Sequence, residues 1–97
     1  MSDLETEVAR RRDEILRIAA AHGASRVRVF GSVARGDANP DSDLDLLVDL
    51  SPGRSLLDIV AMKQDVEEFL GRKVDVVTER AVSRYMREEV LREAVSL

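Results

Sequence analysis

Apolar residues recur at helical spacing in three stretches of the chain. The first predicted helix covers about residues 3–22, and Gly23 is placed to follow its last turn. The second begins at Ser55, where Asp58 completes a capping-box pattern, and it ends at Gly71. A third helix begins at about residue 82 and presents one apolar stripe: Val82, Met86, Val90, Ala94 and Leu97. We expect Met86 and Val90 to belong to the core.

Three alternating or β-branched stretches lie between these helices and are predicted to be strands. They are residues 26–30 (RVRVF), 43–50 (DLDLLVDL) and 73–77 (KVDVV). The second and third are joined by a predicted helix that is long enough for a parallel crossover. The first and second are joined by a short, turn-rich segment, which favours an antiparallel pair. The order predicts an α/β fold, with a small three-stranded mixed sheet and flanking helices in a single domain, residues 1–97.

The composition narrows the class of protein. A chain of 97 residues is the size of one domain, and its 44% hydrophobic and 35% charged residues are typical of a soluble globular protein. The net charge of −4 and the aromatic content of 3% argue against nucleic-acid binding. No apolar run approaches the roughly 20 residues of a membrane span, the N-terminus lacks a signal-peptide core, and cysteine is absent. We therefore expect a cytoplasmic protein without a membrane segment.

Three aspartates lie on the predicted second and third strands. Because side chains alternate along a strand, Asp43 and Asp45 are expected on one face, opposite Leu44 and Leu46. Asp75 is flanked by valines, so it also projects away from the packed face, and it lies beside the other two if the strands pair in parallel. Neighbouring carboxylates repel each other unless a cation lies between them, and Mg²⁺ favours such oxygen ligands. The pattern predicts a metal site.

Gly31 and Ser32 end the first strand and open a short helical turn. Glycine lets a phosphate approach the backbone, and the N–H groups at the start of a helical turn favour anions. An antiparallel return places Gly31 near the start of the second strand, so that a phosphate site and the aspartates are neighbours. A D-x-D motif or a Gly-Ser turn alone is commonly solvated surface, but the three features in this order are hard to explain in that way.

The residues Gly31-Ser32, followed after ten residues by Asp43-x-Asp45, resemble the G-S-x₁₀-D-x-D signature of the nucleotidyltransferase superfamily. This superfamily includes DNA polymerase β and kanamycin nucleotidyltransferase. The stretch FGSVARGDANPDSDLDLLVDL is similar to its minimal branch, the MNT domains. KVDVVTE resembles the strand that carries the family's third acidic residue. The similarity covers residues 26–79 by motif and implies the nucleotidyltransferase fold.

The resemblance implies a role for each matched residue. Asp43 and Asp45 would bind two Mg²⁺ ions, and Asp75 would join the metal shell or help to deprotonate the attacking hydroxyl. Gly31 and Ser32 would hold the β- and γ-phosphates of ATP or another NTP. The hydroxyl would attack the α-phosphorus and pyrophosphate would leave.

At two further positions, Arg35 and Ser42 are the residues that members of the minimal branch tend to have. We include both in the predicted nucleotide site. For Arg35 two roles stay open at this point. Its guanidinium can contact a phosphate, or it can form a structural ion pair with a carboxylate of the following loop.

The acceptor of the nucleotide follows only from the family. Larger members carry an extra domain that binds the base and the acceptor, so we expect a partner or a second subunit to supply those walls here. Many minimal members resemble antitoxins that silence a HEPN-domain RNase toxin by adenylylating a tyrosine. The resemblance therefore implies AMP transfer to a HEPN-domain toxin. Two alternatives stay open: transfer to a small molecule such as an aminoglycoside, and a non-catalytic module that inhibits its partner by occlusion.

Overall fold

The computed structural model describes residues 3–39, 41–82 and 84–97. In these residues the chain forms five helices: α1 (Asp3–Arg10), α2 (Arg12–Ala21), α3 (Ser32–Arg35), α4 (Leu56–Leu70) and α5 (Arg84–Glu93). The same residues form four strands: β1 (Ala24–Phe30), β2 (Leu44–Leu50), β3 (Val74–Thr78) and β4 (Val95–Ser96). None of the described helices is both long and apolar enough to cross a membrane. The predicted α/β class is confirmed.

The four described strands form one mixed sheet in the order β3-β2-β1-β4. β1 is antiparallel to both β2 and β4, whereas β2 is parallel to β3. α4 supplies the crossover that a parallel pair needs, and the return from β1 to β2 runs through the short helix α3. Both pairings expected from the sequence are therefore present.

The prediction of three strands is wrong, because the last residues add a fourth. α5 ends at Glu93, and β4 (Val95–Ser96) pairs with the free edge of β1. Ala94 and Leu97, which are spaced as if the helix continued, therefore lie outside it. The backbone N–H of Leu97 donates to the carbonyl oxygen of Val27 over 3.0 Å. Pairing at this edge satisfies backbone groups of β1 that a longer helix would leave without a partner.

Several element boundaries also differ from the predicted ones, and three of these differences bear on the site or on β1. The first predicted helix is divided at Arg11 into α1 and α2. β1 begins earlier, at Ala24, and contains a bulge around Arg26, whose φ of 50° is unusual for a residue with a side chain. β2 begins after Asp43, so this aspartate precedes the strand instead of opening it. These differences are local and leave the predicted order of helices and strands intact as far as α5.

The hydrophobic core lies between one face of the sheet and the helices α2 and α4. Its most deeply buried side chains are Ile15, Leu44, Leu46, Val48, Met62, Val66 and Val74. The predicted capping box is present at the start of α4: the N–H of Leu57 donates to Ser55 Oγ over 3.2 Å, and the N–H of Ser55 donates to Asp58 over 2.9 Å. The cap fixes where the crossover helix begins.

The opposite face of the sheet is also partly covered. Leu47 projects from the face that carries the aspartates, yet it is fully buried, and Val90 of α5 is buried as well. Arg28 pairs with Leu47 across β1 and β2, and its guanidinium donates to Asp49 and Glu79 over 2.9 and 3.0 Å. We infer that α5 covers part of this face. The rest of the face forms the floor of the candidate site.

Candidate active site

An open cleft of about 550 Å³ lies where β1 ends and β2 begins. The turn after β1, the residues that lead into β2, and one side of α5 form its walls. Its lining residues are Phe30, Gly31, Ser32, Arg35, Asp41, Ser42, Asp43, Asp45, Met86, Glu89, Val90 and Glu93. The cleft thus brings together every residue of the predicted site except Asp75, which lies next to it on β3.

The carboxylates of Asp45 and Asp75 lie on neighbouring strands. In the parallel register of β2 and β3, Asp45 is the direct partner of Asp75, and on its other side Asp45 is paired with Phe30 of β1. Directly paired residues project from the same face of a sheet, so the two carboxylates stand side by side. Asp43 precedes β2 and lines the same cleft as Asp45. The expected juxtaposition is present, while the catalytic roles of these residues stay predictions.

The surroundings of Asp45 disfavour its ionisation. Partial burial raises the pKa of Asp45 to about 6, and repulsion from Asp75 and then from Asp43 adds to the shift. The positive charge of Arg35 acts in the opposite direction on the same pKa. Ionising Asp45 therefore costs free energy in the metal-free protein, and a nearby cation would offset this cost.

Gly31 lets the chain turn tightly against Asp45. Its φ of 74° and ψ of −149° are a combination essentially restricted to glycine. A Cβ atom at this position would clash with the carboxylate of Asp45. The glycine therefore places Ser32 and the start of α3 directly beside the aspartates, as the motif predicts for a phosphate site.

The donor set fits a hard divalent cation such as Mg²⁺. Asp43, Asp45 and Asp75 offer oxygen ligands only, and their mutual repulsion favours a cation between them. Within the described residues, these aspartates included, no three acidic, histidine or cysteine side chains are grouped closely enough to hold a metal ion by themselves. Mg²⁺ is commonly held by one or two carboxylates, with substrate phosphates and water as the remaining ligands. A Mg²⁺ ion at these aspartates would therefore need further ligands from a nucleotide or from water.

Arg35 and Ser42 line the cleft but also have partners within the protein. Nε of Arg35 donates to Asp37, and Nη1 donates to Glu93, each over 3.2 Å. The structural ion pair with a loop carboxylate is therefore present. Ser42 Oγ accepts a hydrogen bond from the N–H of Asn39 over 2.9 Å and so helps to shape the loop before β2. Neither contact uses all the hydrogen-bonding capacity of the side chain.

One wall of the cleft comes from α5, which lies outside the sequence motif. Met86, Glu89 and Glu93 line the cleft from this helix. The prediction that Met86 belongs to the core is wrong, because the residue is 53% exposed, whereas Val90 is buried as predicted. A helical stripe predicts which residues share a face, but it does not predict where that face extends beyond the sheet. The apolar spacing of Met86 is the same as that of Val90, so the sequence does not distinguish this exposed cleft residue from a core residue.

A comparison with protein families identifies the family of the chain that carries this cleft. The model of the nucleotidyltransferase domain matches residues 12–97, which include every residue of the predicted site. The chain belongs to this family. The nucleotidyltransferase thus has its G-S-x₁₀-D-x-D signature folded as the motif requires, with the glycine of the turn packed against the second aspartate of D-x-D.

Two similar relatives of the nucleotidyltransferase are archaeal proteins. The protein adenylyltransferase MntA of Thermococcus cleftensis is 37% identical over 91 residues, which cover 86% of this chain and 92% of that protein. A protein of Methanocaldococcus jannaschii, provisionally named protein adenylyltransferase MJ0435, is 40% identical over 84 residues, with coverage of 87% and 90%. The nucleotidyltransferase therefore aligns with nearly the full length of both enzymes.

Solved structures share the fold of the nucleotidyltransferase. One that is provisionally named a minimal nucleotidyltransferase is 53% identical, with a TM-score of 0.86 and coverage of 96% of this chain and 95% of that chain. A crystal structure of a toxin–antitoxin with AMP-PNP contains a chain that is 20% identical, with a TM-score of 0.74 and coverage of 87% and 69%. At that identity the likeness shows the fold alone. The predicted nucleotidyltransferase fold is confirmed.

Proposed function

We propose that this nucleotidyltransferase transfers AMP from ATP to a hydroxyl group of a partner protein in a Mg²⁺-dependent reaction. The observation that carries the proposal is the direct pairing of Asp75 with Asp45, which lines an open cleft beside Gly31. The two archaeal relatives named as protein adenylyltransferases support the choice of AMP and of a protein acceptor.

The proposed reaction is a displacement at the α-phosphorus of ATP. The acceptor oxygen forms a bond to phosphorus, the bond from phosphorus to the bridging β-phosphate oxygen breaks, and pyrophosphate leaves with that electron pair. The hydroxyl proton passes to Asp75 or to water. When bound, Mg²⁺ would supply positive charge that stabilises the entering and leaving oxygens. Asp43, Asp45 and Asp75 are the residues that would hold it.

The turn after β1 would hold the triphosphate. Gly31 leaves space where a side chain would reach the aspartates, and the first backbone N–H groups of α3 have no partner within the helix, as at any helix start. Ser32 and Arg35 line the same side of the cleft and can donate further hydrogen bonds. The phosphates and the carboxylates would then share the metal between them.

We propose that the acceptor belongs to a HEPN-domain toxin and that this chain is its antitoxin. The likeness to MntA and to the fold of chains in toxin–antitoxin structures supports this proposal. The cleft is open beside α5, where Met86 is exposed, so a hydroxyl of another protein can approach. A tyrosine hydroxyl, with an ordinary pKa of about 10, would need help in losing its proton. Because the reaction consumes ATP, the proposal places the protein in the cytoplasm.

The test of this function is intact mass spectrometry of the candidate toxin after incubation with ATP, Mg²⁺ and the purified chain. We expect one or more AMP groups on the toxin with the wild-type chain and none with Asp45→Asn. Asp13→Asn is the matched control, because it removes one negative charge from a side chain that is 97% exposed. It should transfer AMP at the wild-type rate.

Other results of this experiment, combined with a test of toxin protection in cells and an assay with small hydroxylated compounds, would replace the proposal. Protection of cells by Asp45→Asn, together with an unmodified toxin for both proteins, would identify an inhibitor that acts by occlusion. Transfer to a small hydroxylated compound without any protein acceptor would identify a small-molecule enzyme. Full transfer by folded Asp45→Asn would refute the proposed metal site.

A further inference from the structure

Two carboxylates from different parts of the chain hold the guanidinium of Arg35. Nε donates to Asp37 in the loop after α3, and Nη1 donates to Glu93, the last residue of α5; both distances are 3.2 Å. The pKa of Arg35 is raised, first by the hydrogen bond and charge of Asp37 and to a smaller extent by Glu93. One guanidinium thus joins α3 to α5 at the edge of the cleft.

A third edge of this guanidinium is available for a ligand. Arginine has five N–H donors, and within the described residues no protein atom accepts a hydrogen bond from Nη2 of Arg35. Arg35 lines the cleft together with Ser32, and its charge lowers the pKa of Asp45, so it acts on the space that the aspartates face. Among the described residues that line the cleft, it is the only basic one.

We propose that Glu93 is a positioning residue that, with Asp37, fixes Arg35 so that Nη2 binds the β- or γ-phosphate of the nucleotide. The inference rests on the proposed function, because it needs a triphosphate in the cleft. Without Glu93 the guanidinium would keep one of its two anchors. A less ordered arginine loses more conformational freedom when it binds a phosphate, so affinity falls. Glu93 acts through Arg35 and not on the reacting atoms.

Because Glu93 is negatively charged, the direction of the change in nucleotide affinity in Glu93→Gln tests this inference. Glu93 lines an acidic cleft, so removing its charge would by Coulomb's law alone strengthen the binding of an anionic nucleotide. The positioning role predicts the opposite, namely weaker binding. A loss of affinity in Glu93→Gln therefore cannot come from the change in charge itself.

The experiment measures the dissociation constants of Mg·ATP and of AMP by titration calorimetry. It compares the wild-type chain, Glu93→Gln and the control Glu88→Gln, since Glu88 is an exposed residue of α5 that does not line the cleft. Glu93→Gln should weaken Mg·ATP about three- to tenfold, leave AMP unchanged, and cause no further loss in an Arg35→Gln background. Glu88→Gln should bind both ligands like the wild type.

Several outcomes would overturn the inference. Equal losses for Mg·ATP and AMP, or a loss that persists without Arg35, would indicate a merely structural role. Wild-type affinity for Mg·ATP in Glu93→Gln would show that Glu93 does not position Arg35. If circular dichroism shows that Glu93→Gln does not fold, Glu93→Asp replaces it, because its shorter side chain withdraws the carboxylate from Nη1, and the same results are expected. A wild-type chain that neither binds Mg·ATP nor transfers AMP would overturn the proposed function as well.

Discussion

Ionisation of Asp45 is unfavourable in the metal-free protein, because its carboxylate is partly buried and faces Asp75 and Asp43. The pKa of Asp45 is about 6 in the folded protein, compared with 3.8 for the ordinary side chain. Between these values the folded state binds more protons than the unfolded state. The contribution of Asp45 to stability therefore falls as the pH rises from about 4 to about 6, and it stays low above that range.

Asp45→Asn should raise the free energy of unfolding at pH 7 by about 1–2 kcal/mol in the presence of a chelator, after allowance for solvent screening. It should also remove the contribution of this side chain to the decrease in stability between pH 4 and pH 7, a range that includes both pKa values. Urea unfolding at both values, with Asp13→Asn as the surface-charge control, measures the effect. A decrease as large in Asp45→Asn as in the wild type would contradict the account of Asp45.

Gly31→Ala should destabilise the protein more than Gly53→Ala, although both glycines have a positive φ. Gly53 has a φ of 85° but nothing near an added Cβ, whereas the Cβ at Gly31 would clash with Asp45. We expect a loss of about 1 kcal/mol for Gly53→Ala and about 3 kcal/mol for Gly31→Ala, together with loss of AMP transfer only in the latter. Equal destabilisation of the two variants in urea unfolding would show that no clash exists.

At the scale of elements, the buried Arg28 connects β1 to β2 and to the end of β3. Its three nitrogen atoms donate to the carbonyl oxygen of Arg26 and to the carboxylates of Asp49 and Glu79. The hydrogen bond from Arg28 is the main reason that the pKa of Glu79 is lowered. Arg87 of α5 lies 3.9 Å from the same carboxylate of Glu79, so the network extends to the helix above the sheet.

Arg28→Met should destabilise the fold by about 2–4 kcal/mol, because it leaves two carboxylates without their buried partner. Arg26→Met is the matched control on the same strand, and it should cost less than about 1 kcal/mol, since Arg26 is exposed and lies 3.7 Å from Asp49. The stabilisation of Glu79 by Arg28 is present at neutral pH and is lost as the pH falls through the range in which glutamate is protonated. Similar urea midpoints for the two variants would contradict this network.

Local patterns in the sequence predict most elements of this fold, because each pattern is tied to short-range physics. The capping box at Ser55 and the apolar alternation of β2 correctly predict a helix start and a strand. β4 is missed because two residues are too few to show a period, and the pairing of Val95–Ser96 depends on the distant edge of β1. The motif predicts the group around Asp45 but not the cleft wall from α5, whose position depends on tertiary packing.

At the scale of the whole molecule, the acidic character of the cleft links the nucleotide to the metal. The lining carries five carboxylates and, among the described residues, one basic side chain, Arg35. An ATP molecule alone would be repelled by these charges, and Mg²⁺ alone would find too few protein ligands. When both are present, Mg²⁺ offsets part of the negative charge of the phosphates and of the carboxylates. We therefore predict that ATP and Mg²⁺ bind cooperatively.

The most direct measurement of this claim is the melting temperature of the chain with ATP alone, with Mg²⁺ alone and with both at millimolar concentration. A ligand that binds only the folded state raises the melting temperature by mass action. We predict that the rise with both exceeds the sum of the separate rises, and that this excess is absent in Asp45→Asn but present in Asp13→Asn. Melting curves of the wild type that are identical with and without the pair, or an equal excess in Asp45→Asn, would contradict a nucleotide site at these aspartates.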